Sequence, residues 1–340
     1  MSASTYSFRQ KKSFSFLVII LTFVMLLAGC GNQSSQEASK SSESKGTEQT
    51  EQEEATENAR EITHAMGITK IEGTPERIVT LYQGASDAAA VFGVKPVGAV
   101  ESWLQQPIYD YLKSDLEGVQ NIGDETQPNL EEIAKLKPDL IIASKLRHEE
   151  IYDQLTAIAP TVAHETVFEF KGTVELMGKA MNQEEKANEI LSAWNNRVAD
   201  FQSKIKEKLG EQWPLHVSVL NFRADHARVY VTGFAGSILS ELGFSGPKNL
   251  QDPSLDVVKF TDKESISDMN ADVFYLFMED DGAVKKTYDE WTNHPLWKNL
   301  DAVKANQVHT VDEIIWNMGG GIKAANLMLD DIYDRFELEK

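Results

Sequence analysis

Short β-rich runs alternate with helical ones along most of this chain. "RIVTLY" (77–82) reads as a strand, and the helical "GASDAAAVFG" after it ends at Gly93. "KPVGAV" predicts a second strand, and "PNLEEIAKLKPDLIIAS" a helix, a Lys-Pro stop and a third strand. The helical "HEEIYDQLTAIAP" and the strand-like "TVAHET" close this first unit. Strands separated by helices of this length imply parallel sheet with right-handed crossovers.

From Thr173 to Leu209 the rhythm changes. Proline and strong turn signals are absent, and Leu176, Met177, Ala180, Ala187, Ile190, Leu191 and Trp194 recur at helical spacing. One uninterrupted helix over 173–210 would run about 50 Å, the breadth of a domain. After "WP" (213–214) alternation resumes with "LHVSVLNF", "RVYVTG", "GSILSELGF", "ADVFYLF", "NQVHTV" and a last helix from about Gly321. The pattern therefore predicts two α/β units, 61–172 and 211–340, joined by one long helix.

The first sixty residues belong to neither unit. Arg9, Lys11 and Lys12 precede the apolar "FSFLVIILTFVMLLA", which is shorter than the ~20 residues of a spanning helix. "LAGC" closes the run at Cys30, and residues 1–30 have the anatomy of a secretory signal. Small residues before a cysteine resemble the lipobox of bacterial lipoproteins, which implies an acylated Cys30 and attachment to the extracytoplasmic face of the cell membrane. Residues 31–60 are polar and without aromatics, the composition of a disordered tether. Since Cys30 is the only cysteine, no internal disulfide forms.

A formal net charge of -20 argues against nucleic acid as a partner and makes any basic cluster informative. Ligands of open α/β sheets sit beyond the carboxyl ends of the strands. Those ends here offer Gln83, Trp103, Lys145 with Arg147, and the cluster Arg223, His226, Arg228 with Tyr230. Arginine grips carboxylates with a planar fork, and lysine adds a point charge. Arg223 is expected to face an anion, the alternative being an ion pair with Asp225 or a neighbouring loop. His226 either binds a carboxylate as imidazolium or holds the turn. Arg228 and Tyr230 serve contact or structure equally well. Trp103 and Trp316, both in loops, wall a pocket or pack between lobes, while Trp291 and Trp297 read as core. The "NMGGG" after Trp316 admits close backbone approach or opens the last helix.

The seven histidines are scattered, without HxxxH or CxxC spacing, so no direct metal site and no cofactor is predicted. GxSxG, P-loop and HExxH motifs are absent, and no enzyme is predicted.

Residues 61–340 resemble the class III substrate-binding proteins of ABC importers for iron-siderophores, haem and cobalamin. "RIVTL", "GVKPVGA", "NLEEIAKLKPDLIIAS", "ILSELGF", "ESISDMNADVFYLF" and "WKNLDAVKANQV" carry the likeness by their order and spacing. "TLYQGASD", "ASKLRHE" and "NFRADHARVY" bring it nearest to lipoproteins that bind ferric citrate and citrate-based hydroxycarboxylate siderophores. The resemblance implies two Rossmann-like α/β lobes bridged by one long helix, a ligand cleft between them, and a monomer that hands a ferric siderophore to an ABC permease and its ATPase. It also implies permease-docking acids, Glu131 in "NLEEI" and Glu264 in "KESI", although acids at helix starts also suit the macrodipole. Alternatives are a haem or cobalamin binder of the same fold, a two-lobed surface enzyme, or an adhesin.

Overall fold

The computed structural model describes residues 59–250, 252 and 255–340; Cys30, the signal segment and nearly all of the tether lie outside the described residues. A hairpin of β1 (Ala59–His64) and β2 (Gly67–Glu72) precedes the first lobe. That lobe is built on β3 (Ile78–Thr80), α1 (Gln83–Phe92), β4 (Gly98–Ala99), β5 (Gln120–Asn121), α2 (Leu130–Lys135), β6 (Leu140–Ser144) and β7 (Thr161–His164). Its five strands are all parallel, in the order β5-β4-β3-β6-β7. β3 and β6 are buried along their whole length, as strands covered on both faces must be.

The single helix expected over 173–210 is two. α3 (Phe170–Ala180) ends in a turn at Met181–Gln183, and α4 (Glu184–Leu209) follows with 26 residues. Asn182 makes the turn at φ 58°, a left-handed conformation that asparagine tolerates better than most residues. Glu184 and Glu185 then open α4 where its dipole favours acids. The two helices fold against each other, with Phe170 edge-on to Trp194 at 5.2 Å between ring centres. α4 alone is the bridge, about 39 Å long at 1.5 Å per residue. Its buried stripe of Ala187, Ile190, Trp194, Val198, Phe201 and Ile205 joins a core that runs continuously from Ile78 and Tyr82 of the first lobe to Val217 and Tyr275 of the second.

The second lobe holds β8 (Val217–Phe222), β9 (Ala227–Tyr230), α5 (Gly233–Glu241), β10 (Val257–Phe260), β11 (Val273–Met278), α6 (Gly282–Thr292) and β12 (Val308–Thr310). Its strand order is β10-β9-β8-β11-β12. β8, β11 and β12 are parallel, whereas β8-β9-β10 are antiparallel, so this sheet is mixed rather than parallel throughout. β8 and β9 pair with Asn221 opposite Arg228 and form the hairpin that carries the basic cluster.

The last helix, α7 (Ile322–Arg335), leaves the second lobe and lies along the bridge. Arg197 reaches Asp330, and the Tyr333 hydroxyl donates to Asp200 at 2.7 Å. Its first turn docks on the first lobe. The buried Asp87 carboxylate of α1 accepts from the backbone N–H of Lys323 at 2.7 Å, of Ala324 at 2.9 Å, and from the Tyr111 hydroxyl at 2.9 Å. Close approach explains the glycine run. A Cβ on Gly321 would lie 2.2 Å from Asp87, and one on Gly84 would lie 2.6 Å from the Gly320 carbonyl oxygen. "NMGGG" is thus shaped by helix docking.

Burial pushes the Asp87 carboxyl up to about 6 from 3.8, against its donors and Lys323. Between those values the folded chain holds a proton that the unfolded chain lacks, so this group makes stability fall as pH rises through the window. Asp87→Asn should cost about 1–3 kcal/mol, because one carboxylate oxygen becomes an N–H₂ facing donors. In urea melts, the gap to wild type should be widest near pH 4 and narrow through pH 6. A variant equal to wild type at every pH would remove Asp87 as the tie between lobes.

Candidate functional site

The carboxyl ends of β3, β4 and β6 present the first lobe's polar edge. Gln83 opens α1, and its side-chain amide donates to the Glu101 carbonyl at 2.8 Å. Its backbone N–H donates to one oxygen of Glu125 at 3.1 Å, and Arg147 Nε donates to the other at 3.1 Å. Glu125 is only 3% exposed, and its backbone is held as well: His148, buried beneath Arg147, donates from Nε2 to the Glu125 carbonyl at 2.9 Å. Burial lowers the His148 pKa, which keeps the ring neutral for that role. Burial also raises the Glu125 carboxyl, a shift that the Gln83 N–H and Arg147 oppose.

In the second lobe Arg223 follows β8 directly. Its Nε donates to Asn221 Oδ1 at 2.7 Å, one terminal nitrogen pairs with Glu279 and the other lies 3.4 Å from Glu313. Glu279 follows β11 and Glu313 follows β12, so the three charges stand off adjacent strand ends. Burial raises the Glu313 carboxyl; Arg223 opposes this, while Glu279 and Asp312 add to it. Each lobe therefore presents an arginine already facing a buried carboxylate. The edge expected to be basic is charge-compensated.

A cavity of about 240 Å³ lies between these edges. Gln83, Trp103, Glu125 and Arg147 border it from one lobe and Tyr230 from the other, with Phe168, Asn317 and Met318. Larger hollows of about 460 and 600 Å³ open elsewhere in the second lobe. Neither is lined from both lobes, whereas the 240 Å³ cavity is. Trp103, 43% exposed, is its aromatic wall, and Tyr230 packs on Phe277 at 5.6 Å.

Four of the expected site residues thus meet at one cavity, and the others stand apart from it. Lys145 is turned to Glu165 at 2.9 Å. The ion pairs of Arg223 are with Glu279 and Glu313, while Asp225, the nearby acid anticipated as an alternative partner, is bound to His226. His226 accepts at Nε2 from Arg228 Nε at 2.9 Å and pairs through Nδ1 with Asp225, so its ring braces the hairpin. Arg228 is correspondingly occupied with His226. Trp316 is corrected from pocket wall to core: it is 1% exposed, packs tilted against Tyr275 at 4.4 Å between ring centres and donates its indole N–H to Asp331 at 3.0 Å. It lies in a single wide helical turn, Ile314–Met318, and its neighbours Asn317 and Met318 reach the cavity instead. Trp291 and Trp297 are core, as expected.

Glu131 and Glu264 are both exposed. Glu131 stands in the first turn of α2, capped by Asn129, and pairs with Lys135 at 3.0 Å. Glu264 opens a short turn, Lys263–Met269, capped by Asp262. Among the described residues no group of three or more His, Cys, Asp or Glu is placed to hold a metal ion.

Two α/β lobes on one bridging helix, facing each other across a polar cleft at their strand ends, define a two-lobed binding-protein architecture. Residues 78–314 match the family of periplasmic binding proteins, and the chain belongs to that family. It is 44% identical over 338 residues to a probable siderophore-binding lipoprotein, YfiY, of Bacillus subtilis, covering 96% of this chain and 99% of that one. It is 43% identical over 261 residues to the achromobactin-binding periplasmic protein of Dickeya dadantii, covering 76% and 85%. Among solved structures, Staphylococcus aureus SirA complexed with staphyloferrin B is 52% identical, with a TM-score of 0.80 over 82% of this chain and 99% of that one. The family and these relatives are binding proteins.

Removing Arg147 would leave Glu125 buried with no counter-charge. Arg147→Ala should lower stability by about 1–3 kcal/mol at pH 7.5. The raised Glu125 carboxyl sets the sign: the deficit is present at high pH and shrinks as pH falls, since a protonated Glu125 needs no partner. Adding Glu125→Gln should restore most of the loss. Chemical denaturation of both variants at pH 5 and 7.5 checks this, and a pH-independent deficit would contradict it.

Proposed function

We propose that this protein captures an iron(III)–siderophore of the citrate-based hydroxycarboxylate class outside the cytoplasmic membrane and delivers it to an ABC permease. The observation that carries this reading is the cavity where Arg147, Trp103 and Gln83 of one lobe meet Tyr230 of the other. Such complexes project carboxylates from a compact core whose iron is already wrapped by the chelator. Arg147 spends Nε on Glu125, which leaves the terminal nitrogens of its fork for a ligand carboxylate. Trp103 and Tyr230 supply flat apolar walls with polar tips, and the iron needs no protein ligand. The names of three relatives, a siderophore-binding lipoprotein, an achromobactin binder and a staphyloferrin B complex, support the class. Arg223, Arg228, His226 and Lys145 form an outer ring on this reading, engaged once the ligand draws the lobes together, and Trp316 backs the wall. Acylation of Cys30 would hold the protein at the membrane, with energy for transport coming from the ATPase.

Iron(III)–staphyloferrin B should quench tryptophan fluorescence at sub-micromolar concentration, and Trp103→Phe should remove most of the quench while leaving affinity within a few-fold. Arg147→Lys keeps the charge but loses the fork, and should weaken binding about ten- to a hundredfold, or about 1.5–3 kcal/mol. No quench, or an indifferent Arg147→Lys, would count against this cavity as the site.

Docking is a separable step. Glu131 and Glu264, one exposed acid on each lobe, are proposed to meet basic groups of the permease. Replacing both with alanine should leave affinity within a few-fold while uptake by whole cells collapses. An equal loss in affinity would place them in the fold or the cleft.

A further inference from the structure

Arg223 is one cation shared by two carboxylates, and those two are not alike. Glu279 is half exposed and holds the nearer guanidinium nitrogen. Glu313 is 8% exposed and reaches Arg223 only at 3.4 Å. The charged groups around Glu313 are Arg223 from the end of β8, Glu279 from the end of β11 and Asp312 from its own loop. Asp312 is committed to capping the turn that follows, accepting from Ile314 N at 2.8 Å and Ile315 N at 3.3 Å. From the other lobe Tyr109, a phenol, faces Glu313 and also Glu125.

That tyrosine places Glu313 in the fold. Tyr109, Leu112 and Leu116 of the first lobe form one buried cluster with Ile314, the residue after Glu313. Glu313 therefore sits at the seam between lobes, and Tyr109 lies within electrostatic reach of both buried carboxylates, one from each side of the cleft. With the cleft empty, Arg223, Glu279 and Glu313 together carry one surplus negative charge. A ligand carboxylate arriving at Arg223 would make three anions around one guanidinium, the innermost unable to hide in water.

We infer that Glu313 is a specificity-determining residue of the cleft, a counter-anion that an incoming anionic complex must displace from Arg223, with one proton taken up by Glu313 as it does so. This rests on the functional reading above. Glu313 sets a threshold: a complex without a carboxylate for Arg223 gains nothing by displacing it, whereas one with a carboxylate replaces a poor 3.4 Å contact by a direct fork. Burial already raises the Glu313 carboxyl above its ordinary 4.5, and a bound anion raises it further. The sign follows from linkage: the bound state holds the extra proton, so affinity falls as pH rises, by at most tenfold per pH unit for one proton.

The test is calorimetric titration of the full chain with iron(III)–staphyloferrin B between pH 5.5 and 8.5, in paired buffers of different ionisation enthalpy so that protons are counted. Wild type should take up a fraction of a proton, largest between the free and bound titration ranges of Glu313 and falling away on either side. Glu313→Gln, which keeps shape and removes the charge, should lower that count by the same amount, flatten the pH dependence and bind roughly tenfold tighter at pH 7.5. Glu279→Gln removes one of the charges that raise Glu313, so it should lower the proton count, but by less than Glu313→Gln does. If wild type binds but Glu313→Gln shows the same proton count, the proposal fails while the functional reading stands. Weaker binding by Glu313→Gln at every pH with an unchanged count would make Glu313 a mere positioner of Arg223, and also overturns it. No binding by wild type at any pH would sink both.

Discussion

A buried carboxylate at the start of the last helix fixes how the two lobes meet. Asp87 belongs to the first lobe, yet its oxygens satisfy backbone donors at the N-terminus of α7, which has just left the second. Four N–H groups at a helix start must find acceptors, and inside a protein an unpaired one is expensive. The contact is possible only because Gly84 and Gly321 let backbone and carboxylate come together. Together with α4 it gives the lobes two connections, one covalent and continuous and one through hydrogen bonds. The cleft lies between two bodies that are held at both ends of their shared core.

On that frame the polar edges show a common plan. Each lobe sets an arginine beyond a central strand and gives it a buried glutamate, Arg147 with Glu125 and Arg223 with Glu313. The two pairs differ in quality. Glu125 is satisfied on both oxygens, by Arg147 and by the Gln83 N–H, whereas Glu313 shares its arginine with another acid. One side of the cleft is a finished ion pair and the other is unfinished. An acidic protein can present arginines to an anion in this way without leaving them unpaired when empty.

Local signals were legible in the sequence and distant ones were not. The strands, the alternation and the strand ends followed from periodicity and turn chemistry, and Gln83, Trp103, Arg147 and Tyr230 followed from the strand ends. The partner acids of Arg223 are 56 and 90 positions away, so nothing near it announces them. Trp316 was misplaced for the same reason, because Tyr275, against which it packs, comes from another strand. Glu125 and His148 carried no motif at all. The break at Asn182 could have been found: "MNQEE" places an asparagine before paired acids, a helix stop followed by a helix start. β9 alone runs against the other four strands of its sheet, and β-propensity does not encode direction.

The route of α7 also bears on the order in which the molecule can be completed during synthesis. The core in which the first lobe takes part also includes Ile322, Ala325, Met328 and Leu329 of α7, and the donors that satisfy Asp87 come from the same helix. A chain emerging from the ribosome N-terminus first has every strand of that lobe long before it has the helix that seals it. Its early half stays unsealed, with an apolar face and a buried carboxylate waiting for partners still to be made. The first lobe can therefore close fully only after the strands of the second lobe have been made.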